Sequence, residues 1–523
     1  MGLEGSPLRH YFLPAEDKWK TLLSLLVAAA ICLATSVYCW KKRRLWYIAS
    51  KIPGPTSLPI IGNLLMFATG SPVECFKIIN QLTEKYGPVM RIWGAGKPVV
   101  LVTDAESIEK LMTNKKLETR GRYIYKVAKP IFNNGLLLSY GNTWRFHRKI
   151  INSSFHANIL DGFVHQFSRL SLLLNDNINK VSDGSTFDLY HYSFLCSMDI
   201  VAETTMGEVV NVQVSQDHYF TKVILWGLEV VMERFRKPWM LYDWLYYVTQ
   251  VGKQTKIVMK DVNEKIFDGI KKRKCKFNAG GKQKTDLDDK ASVSKKKLCL
   301  LDLMIENGTM SMEEIRDEVV TIVSTGSETT ATTFCYVLSM LGIHQEVQDR
   351  VLEEQKLIFG QDHCRSVCSE DLSQMNYLEQ VIKETLRLFP PVPYLFRKVG
   401  EDIEVGMGYT IPAGSHSIIN AYLTHRNPEY YPDPGSFVPE RFSAENSIGR
   451  HPHVFIPFGG GRRLCVGYRY AMLELKTMLS TVLRRFRVVH TPGGMKELED
   501  NLEAGLVVKP ARGFPIQMLP RDL

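Results

Sequence analysis

The chain has no Cys-x-x-Cys pair, and its ten cysteines are scattered through 523 residues without disulfide-like spacing. Beyond the first forty residues only Cys364 and Cys368 lie close together. That pattern fits a reducing compartment and argues against a secreted, cross-linked scaffold. No Gly-x-Gly-x-x-Gly motif follows a strand-like segment, so the chain lacks a nicotinamide site of its own. No nucleic-acid-binding motif accompanies the formal charge of +10, so no nucleic-acid partner is expected. No internal repeat is visible, which removes solenoids and propellers. Charge is missing altogether from residues 21–40.

Those residues make a stretch long enough to span a bilayer. Trp19 and Trp40 stand at its ends as interfacial aromatics do, and Lys41-Lys42-Arg43-Arg44 follows at once. The positive-inside rule then puts the rest of the chain in the cytosol. A cleaved signal peptide fits less well, because the basic flank is C-terminal and Glu16 and Asp17 precede the apolar stretch. The expectation is an uncleaved anchor at 21–40, with residues 1–20 on the lumenal side. Pro53-Gly54-Pro55, with Pro59 and Gly62, reads as a stiff non-helical spacer, since proline fixes φ and restricts its predecessor. Residues 41–62 are therefore a basic, proline-rich linker, and 63–523 the globular body. The runs Lys271-Lys272-Arg273-Lys274 and Lys295-Lys296-Lys297 read as solvated charge on a mobile surface connection over 271–297.

Hydrophobic residues form 45% of the chain, ample for a large core. Helical periodicity runs over 144–180, 312–344, 345–358, 375–388 and 468–485. Strand-like pieces lie near 90–103, 397–411 and 505–518, and residues 99–102 (Val-Val-Leu-Val) read as a short buried strand. The expected fold class is mainly α with small β-sheets.

Chemistry concentrates in Phe458-Gly459-Gly460-Gly461-Arg462-Arg463-Leu464-Cys465-Val466-Gly467, which sets one cysteine in a glycine-rich loop before an amphipathic helix. Ala471, Leu475, Met478, Leu479 and Val482 form the apolar stripe of that helix. Its N-terminus would stabilise a thiolate at Cys465, for use as a nucleophile or a metal ligand. A nucleophile wants a base, but no histidine follows His453 in this stretch, and arginine cannot act as one. Arginines suit the carboxylates of a haem, whose iron accepts thiolate. The bland alternative is a glycine turn around a structural cysteine.

Three further segments stand out. Glu384-Thr385-Leu386-Arg387 places opposite charges at i,i+3, a common surface pair. Trp144 and Arg148 share one helix face at i,i+4. Thr325-Gly326-Ser327-Glu328-Thr329-Thr330 lies mid-way along a helix that begins with a capping box, Ser311-x-x-Glu314. Glycine, β-branched residues and a carboxylate are unfavourable in a helix interior, and helices opened this way often do so at functional sites. Hydroxyl back-bonding to the preceding turn is the structural alternative.

The spacing Phe-x-x-Gly-x-Arg-x-Cys-x-Gly resembles the haem-binding signature of the cytochrome P450 superfamily. Glu-x-x-Arg, then Pro439-Glu440-Arg441-Phe442, then the cysteine loop resembles its second signature. The resemblance covers nearly the whole chain, in order, and implies the cytochrome P450 fold. It implies a haem-dependent monooxygenase inserting one oxygen atom of O2 into an apolar lipid, fatty acid-derived hydrocarbon, terpenoid or foreign compound, by hydroxylation or epoxidation. Cys465 would ligate the iron of haem b (iron protoporphyrin IX), in a loop with Phe458, Gly461, Arg463 and Gly467. Arg148, Arg463 and Arg397 would neutralise haem propionates, with Trp144 beside them. Glu384, Arg387 and Arg441 would form a buried structural triad. Gly326 would admit dioxygen, Thr329 would hydrogen-bond the oxygen being activated, and Glu328 would feed protons. Electrons would come from NADPH–cytochrome P450 reductase, and cytochrome b5 as a second donor, on the endoplasmic reticulum membrane, steered by Arg145, Lys149, Arg462 and Arg469. Substrate would meet the 120–140 segment, the 317–329 helix face, residues 391–396 and the turn near Leu506.

Finer features are similar to the branch that holds fatty-acid ω-hydroxylases and many insect enzymes. They are His147-Arg148-Lys149-Ile150 with Ser154-Phe155-His156, and Glu314-Ile315-Arg316-Asp317-Glu318-Val319. Many members of that branch carry, just before the helix glycine, a glutamate able to esterify the haem. Thr325 stands there in this chain, so the haem is expected to be held without a covalent bond. Competing readings are a haem-thiolate isomerase or dehydratase acting on peroxides, which needs no proton relay, and a non-catalytic haem-binding sensor. A thiol hydrolase is more distant.

Overall fold

Helix α1, Ala15–Ser50, runs unbroken through the expected anchor and the basic cluster beyond it. Its 36 residues span about 54 Å, more than a bilayer's hydrocarbon core needs. The membrane-length apolar window is wholly unburied. The basic cluster does not end the helix, since no glycine or proline follows it before Pro53. The last turns instead dock: Leu45 and Ala49 are buried, and Ile52 joins a hydrophobic core. The proline segment, expected as a spacer, is packed as well. Pro53 O accepts the Arg91 N–H at 2.7 Å, and a Cβ on Gly54 would lie 2.0 Å from Arg91 O. The computed structural model describes residues 15–521 except 59–60, 69, 95, 118–120, 216–218, 283–298, 361 and 363. Residues 1–14 of the expected lumenal segment, Pro59, and residues 283–297 with the run Lys295-Lys296-Lys297 lie outside the described residues.

Helix α2 (Pro72–Tyr86) leads into the hairpin β1 (Val89–Gly94) and β2 (Lys97–Val102), then α3 (Ala105–Thr113), α4 (Arg122–Phe132), α5 (Gly141–Ser153) and α6 (Ala157–Asn179). The single periodic stretch at 144–180 is therefore two helices. The break falls where Ser153 Oγ donates to Ile150 O at 2.6 Å, competing with the backbone ladder. Helices α7 (Leu189–Met206) and α8 (Gln250–Lys282) follow. Residues 271–282, expected as a mobile connection, are the end of α8. Arg273 is held there by Asp302 through two bonds, Nε to Oδ1 at 2.7 Å and Nη2 to Oδ2 at 2.6 Å.

Helix α9 (Met312–Ile343) begins at the expected capping box: Ser311 N donates to Glu314 Oε2 at 2.8 Å, and Glu314 N to Ser311 Oγ at 3.1 Å. It is buried around most of its girth in its second half, as a central core helix is, and packs along α7. Helix α10 (Asn376–Leu388) precedes β3 (Tyr394–Lys398) and β4 (His416–Asn420), and α11 (Tyr468–Arg485) precedes β5 (Phe486–His490) and β6 (Pro515–Pro520). The main sheet has the order β1-β2-β4-β3, with β2 and β4 parallel and the other pairs antiparallel. Val100, Val102, Leu395 and Ile419 bury one smaller core against it. The larger core unites α6, α7, α9, α10 and α11, with Leu475, Met478, Leu479 and Val482 of the expected stripe inside it. The fold is mainly α with small sheets.

Candidate active site

The cysteine loop owes its shape to two glycines and one hydrogen bond. Gly459 and Gly461 have φ of +75° and +61°, and a Cβ on Gly461 would lie 2.1 Å from Met112 O of α3. Only glycine accepts both conditions. Cys465 N donates to Phe458 O at 2.9 Å, closing the loop, and the Phe458 ring meets Tyr468 edge-on at 5.1 Å. Gly467 is the N-cap residue of α11, and a Cβ there would stand 4.0 Å from Cys465 Sγ. Cys465 is exposed, at the positive end of the helix. Cys196 and Cys335 are the opposite case: each is wholly enclosed, and burial pushes its thiol far above the usual range. They remain neutral core residues, with Cys335 Sγ 3.0 Å from Ser193 Oγ.

Cations gather around this loop. Arg148 on α5 is half-buried, donates Nη1 to Leu464 O at 2.8 Å, and interacts electrostatically with Cys465. Arg463 is buried over the face of Trp144 at 4.1 Å and donates to Leu136 O at 3.3 Å and Ser139 O at 2.7 Å. Arg397, buried on β3, donates to Phe396 O at 2.9 Å. Arg145, Lys149, Arg462 and Arg469 are exposed. An exposed sulfur donor with the half-buried Arg148 beside it and the buried Arg463 in the same loop fits an iron porphyrin, which brings one metal and two carboxylates.

Behind the loop, Glu384 and Arg387 are fully buried on α10 and joined by two bonds of 2.8 Å. Arg441 Nε lies 3.4 Å from Glu384 Oε1. Arg387 also donates to His425 O, Pro434 O and Ser436 O, at 2.9, 2.8 and 3.0 Å. A buried arginine is tolerated on those terms, and it staples three chain segments together.

On α9 the hydroxyls back-bond. Thr325 Oγ1 donates to Thr321 O at 2.7 Å and Thr329 Oγ1 to Thr325 O at 2.8 Å. The helix is continuous through this segment rather than opened. Gly326 faces α7, where its missing Cβ would approach Val201 Cγ2 to 3.2 Å. Glu328 is buried and tied down: Lys509 donates to it at 3.1 Å, and Tyr190 O–H makes a second bond.

Sequence reasoning missed two groups. Glu474 on α11 is fully buried beside the apolar stripe, accepts from Ser197 Oγ of α7 at 2.8 Å and meets Thr330 of α9. Burial pushes its carboxyl up to about 8, with the Ser197 and Thr330 contacts opposing. A carboxylate flanking an apolar stripe was the available signal. The second group is His147, whose ring meets Glu318 at 2.6 Å and Glu314 at 3.3 Å. It joins the two motifs that the sequence left separate. A surface cluster of Glu109, His451 and His453 has metal-ligand types, but both ring nitrogens of His451 are already engaged, by Glu109 and by His453 N.

The family described as Cytochrome P450 matches residues 52–517. Cytochrome P450 4V2 of Mus musculus is 33% identical over 508 residues, covering 95% of each chain. Cytochrome P450 4c3 of Drosophila melanogaster is 33% identical over 514 residues, 96% of this chain and 95% of that one. Cytochrome P450 4g1 of the same fly is 32% identical over 530 residues, 96% and 94%. The glycine-shaped cysteine loop, its arginines and these full-length likenesses agree: the chain belongs to the cytochrome P450 family, within its family 4 branch, and is a haem-dependent monooxygenase.

Proposed function

We propose that this monooxygenase oxidises an apolar small molecule, using electrons from NADPH–cytochrome P450 reductase and cytochrome b5, at the endoplasmic reticulum membrane. The observation that carries the reading is the exposed Cys465 at the mouth of α11, with Arg148 bound to Leu464 O and interacting electrostatically with the sulfur. Haem supplies the oxygen-activating chemistry when bound, with Cys465 as its thiolate ligand. The protein's share is placement. Arg148, Arg463 and Arg397 neutralise the haem carboxylates, and Trp144 supports Arg463 from below. Glu384, Arg387 and Arg441 hold the loop's flank. Thr329 would hold a proton at its hydroxyl, and Glu328, held by Lys509 and Tyr190, would supply protons to the site. Thr325 offers no carboxylate for esterification, so the haem is held non-covalently. Arg145, Lys149, Arg462 and Arg469 present a basic face to an acidic electron donor.

Residues 21–40 anchor the protein, 41–62 connect, and 63–523 form the catalytic domain. Exposed Trp239, Tyr242, Trp244 and Val248 provide a second apolar contact with lipid. The substrate meets the 120–140 segment, of which Arg120 lies outside the described residues, the 317–329 face of α9, residues 391–396 and the turn near Leu506. Val508 N donates to Pro391 O at 2.8 Å, which brings the last two together. Reconstitution with reductase and a metabolite extract tests the reading. An oxygenated product that requires NADPH and reductase is expected; rearrangement of a hydroperoxide with no NADPH-dependent product from any fraction would sink it.

A further inference from the structure

Two motifs remain outside the roles given so far, His147 on α5 and Glu314-x-x-x-Glu318 on α9. The structure closes them into a circuit. Both ring nitrogens of His147 face carboxylate oxygens, Nδ1 toward Glu318 at 2.6 Å and Nε2 toward Glu314 at 3.3 Å. Ionised carboxylates only accept, so these two contacts favour the doubly protonated ring, while burial pushes the Glu318 carboxyl up against the His147 contact. Burial opposes the charge, but the contacts with Glu318 and Glu314 outweigh it and raise the histidine's pKa. Each glutamate has a second duty. Glu314 also closes the α9 capping box. Glu318, fully buried, also accepts Leu136 N at 3.0 Å. Next to it, Asp317 accepts Asn134 N at 3.1 Å. Between these two anchors the chain lies flat on α9: a Cβ on Gly135 would be 2.2 Å from Thr321 Oγ1. The same segment turns its carbonyls outward, and Leu136 O and Ser139 O receive Arg463. Arg463 rests on Trp144, one turn before His147 on α5.

We propose that His147 is a positioning residue for the haem pocket: paired with Glu318, it holds residues 134–139 in the one arrangement whose carbonyls aim Arg463. The inference rests on the reading of Arg463 as a haem-carboxylate partner. It assigns His147 no contact with haem or substrate. Its effect travels through two hydrogen-bonded segments, from helix α9 to the loop that carries Cys465.

The test is the rate of haem transfer from holoenzyme to excess apomyoglobin, at temperatures where far-ultraviolet circular dichroism is unchanged. His147→Gln, Glu318→Gln and Arg463→Lys should each speed release by about tenfold, the scale of a lost charge-assisted hydrogen bond. In the Arg463→Lys background, His147→Gln should add less than about twofold, because both changes release the same group. Should His147→Gln load haem poorly, Glu318→Gln carries the same cycle. Rates that multiply in the double variant overturn the proposal, since His147 would then act independently of Arg463. So does a silent His147→Gln beside a fast Arg463→Lys, with the Arg463 reading intact. A silent Arg463→Lys removes that reading itself, and the inference with it.

Discussion

Cys465 is exposed, whereas Cys196 and Cys335 are enclosed and burial pushes their thiols far above the usual range. Replacing Cys465 with alanine should abolish the thiolate-type carbon monoxide absorption of the reduced protein; a variant that keeps that band refutes the ligand. Thr329 is half-buried, and its hydroxyl has only a helix carbonyl to leave. Thr329→Ala should therefore cost little stability, under about 1 kcal/mol, yet divert most reducing equivalents to peroxide. Unchanged coupling between NADPH and product would remove Thr329 from proton delivery. Glu474 makes a prediction about pH. Its folded pKa, about 8, exceeds the ordinary value of 4.5. Between those values the native state keeps a proton that the unfolded chain has lost. Its contribution is thus fully present below about pH 4.5 and lost as pH rises toward 8. Glu474→Gln should flatten the fall in thermal stability over that window, by a few kcal/mol at most. Parallel melting-temperature profiles for the two proteins would contradict a buried neutral acid.

At the scale of elements, the cysteine loop depends on α3 as much as on its own residues. Gly461→Ala meets both a positive φ and the Met112 carbonyl, so a local move cannot relieve it. That change should cost about 3 kcal/mol or more and lower haem content in the purified protein. Normal haem content and melting temperature would show the loop to be more adaptable than its geometry implies. The run of glycines and the cysteine were legible in the sequence because turn chemistry is local. That α3 supplies the wall they close against was not, because Met112 is an ordinary helix residue some 350 positions away. Helix α9 divides in the same way. Its capping box was readable at Ser311 and Glu314, while the second duty of Glu314, toward His147, needs α5 laid alongside.

Across the whole molecule, α1 combines an uncovered apolar length with a docked end. Deleting residues 1–40 should leave the body folded, since Leu45, Ala49 and Ile52 remain to fill their places. The shortened protein should partition at least partly to the soluble fraction in flotation assays, with residual binding through Trp239, Tyr242 and Trp244. Complete retention on vesicles would move the anchor elsewhere. The sequence by itself determined the mainly helical class, the membrane-length apolar helix, and the glycine loop around Cys465, because periodicity, apolar length and glycine placement act within one segment. It misjudged the reach of α1, the break between α5 and α6, and the end of α8, since docking and capping partners decide where helices stop. Only the tertiary structure decided which charges are buried and with whom: Glu328 with Lys509 and Tyr190, Glu474 with Ser197, His147 with Glu318. The physical reason is that desolvation and pairing depend on distance in space, and each of these pairs is separated by more than a hundred residues of chain.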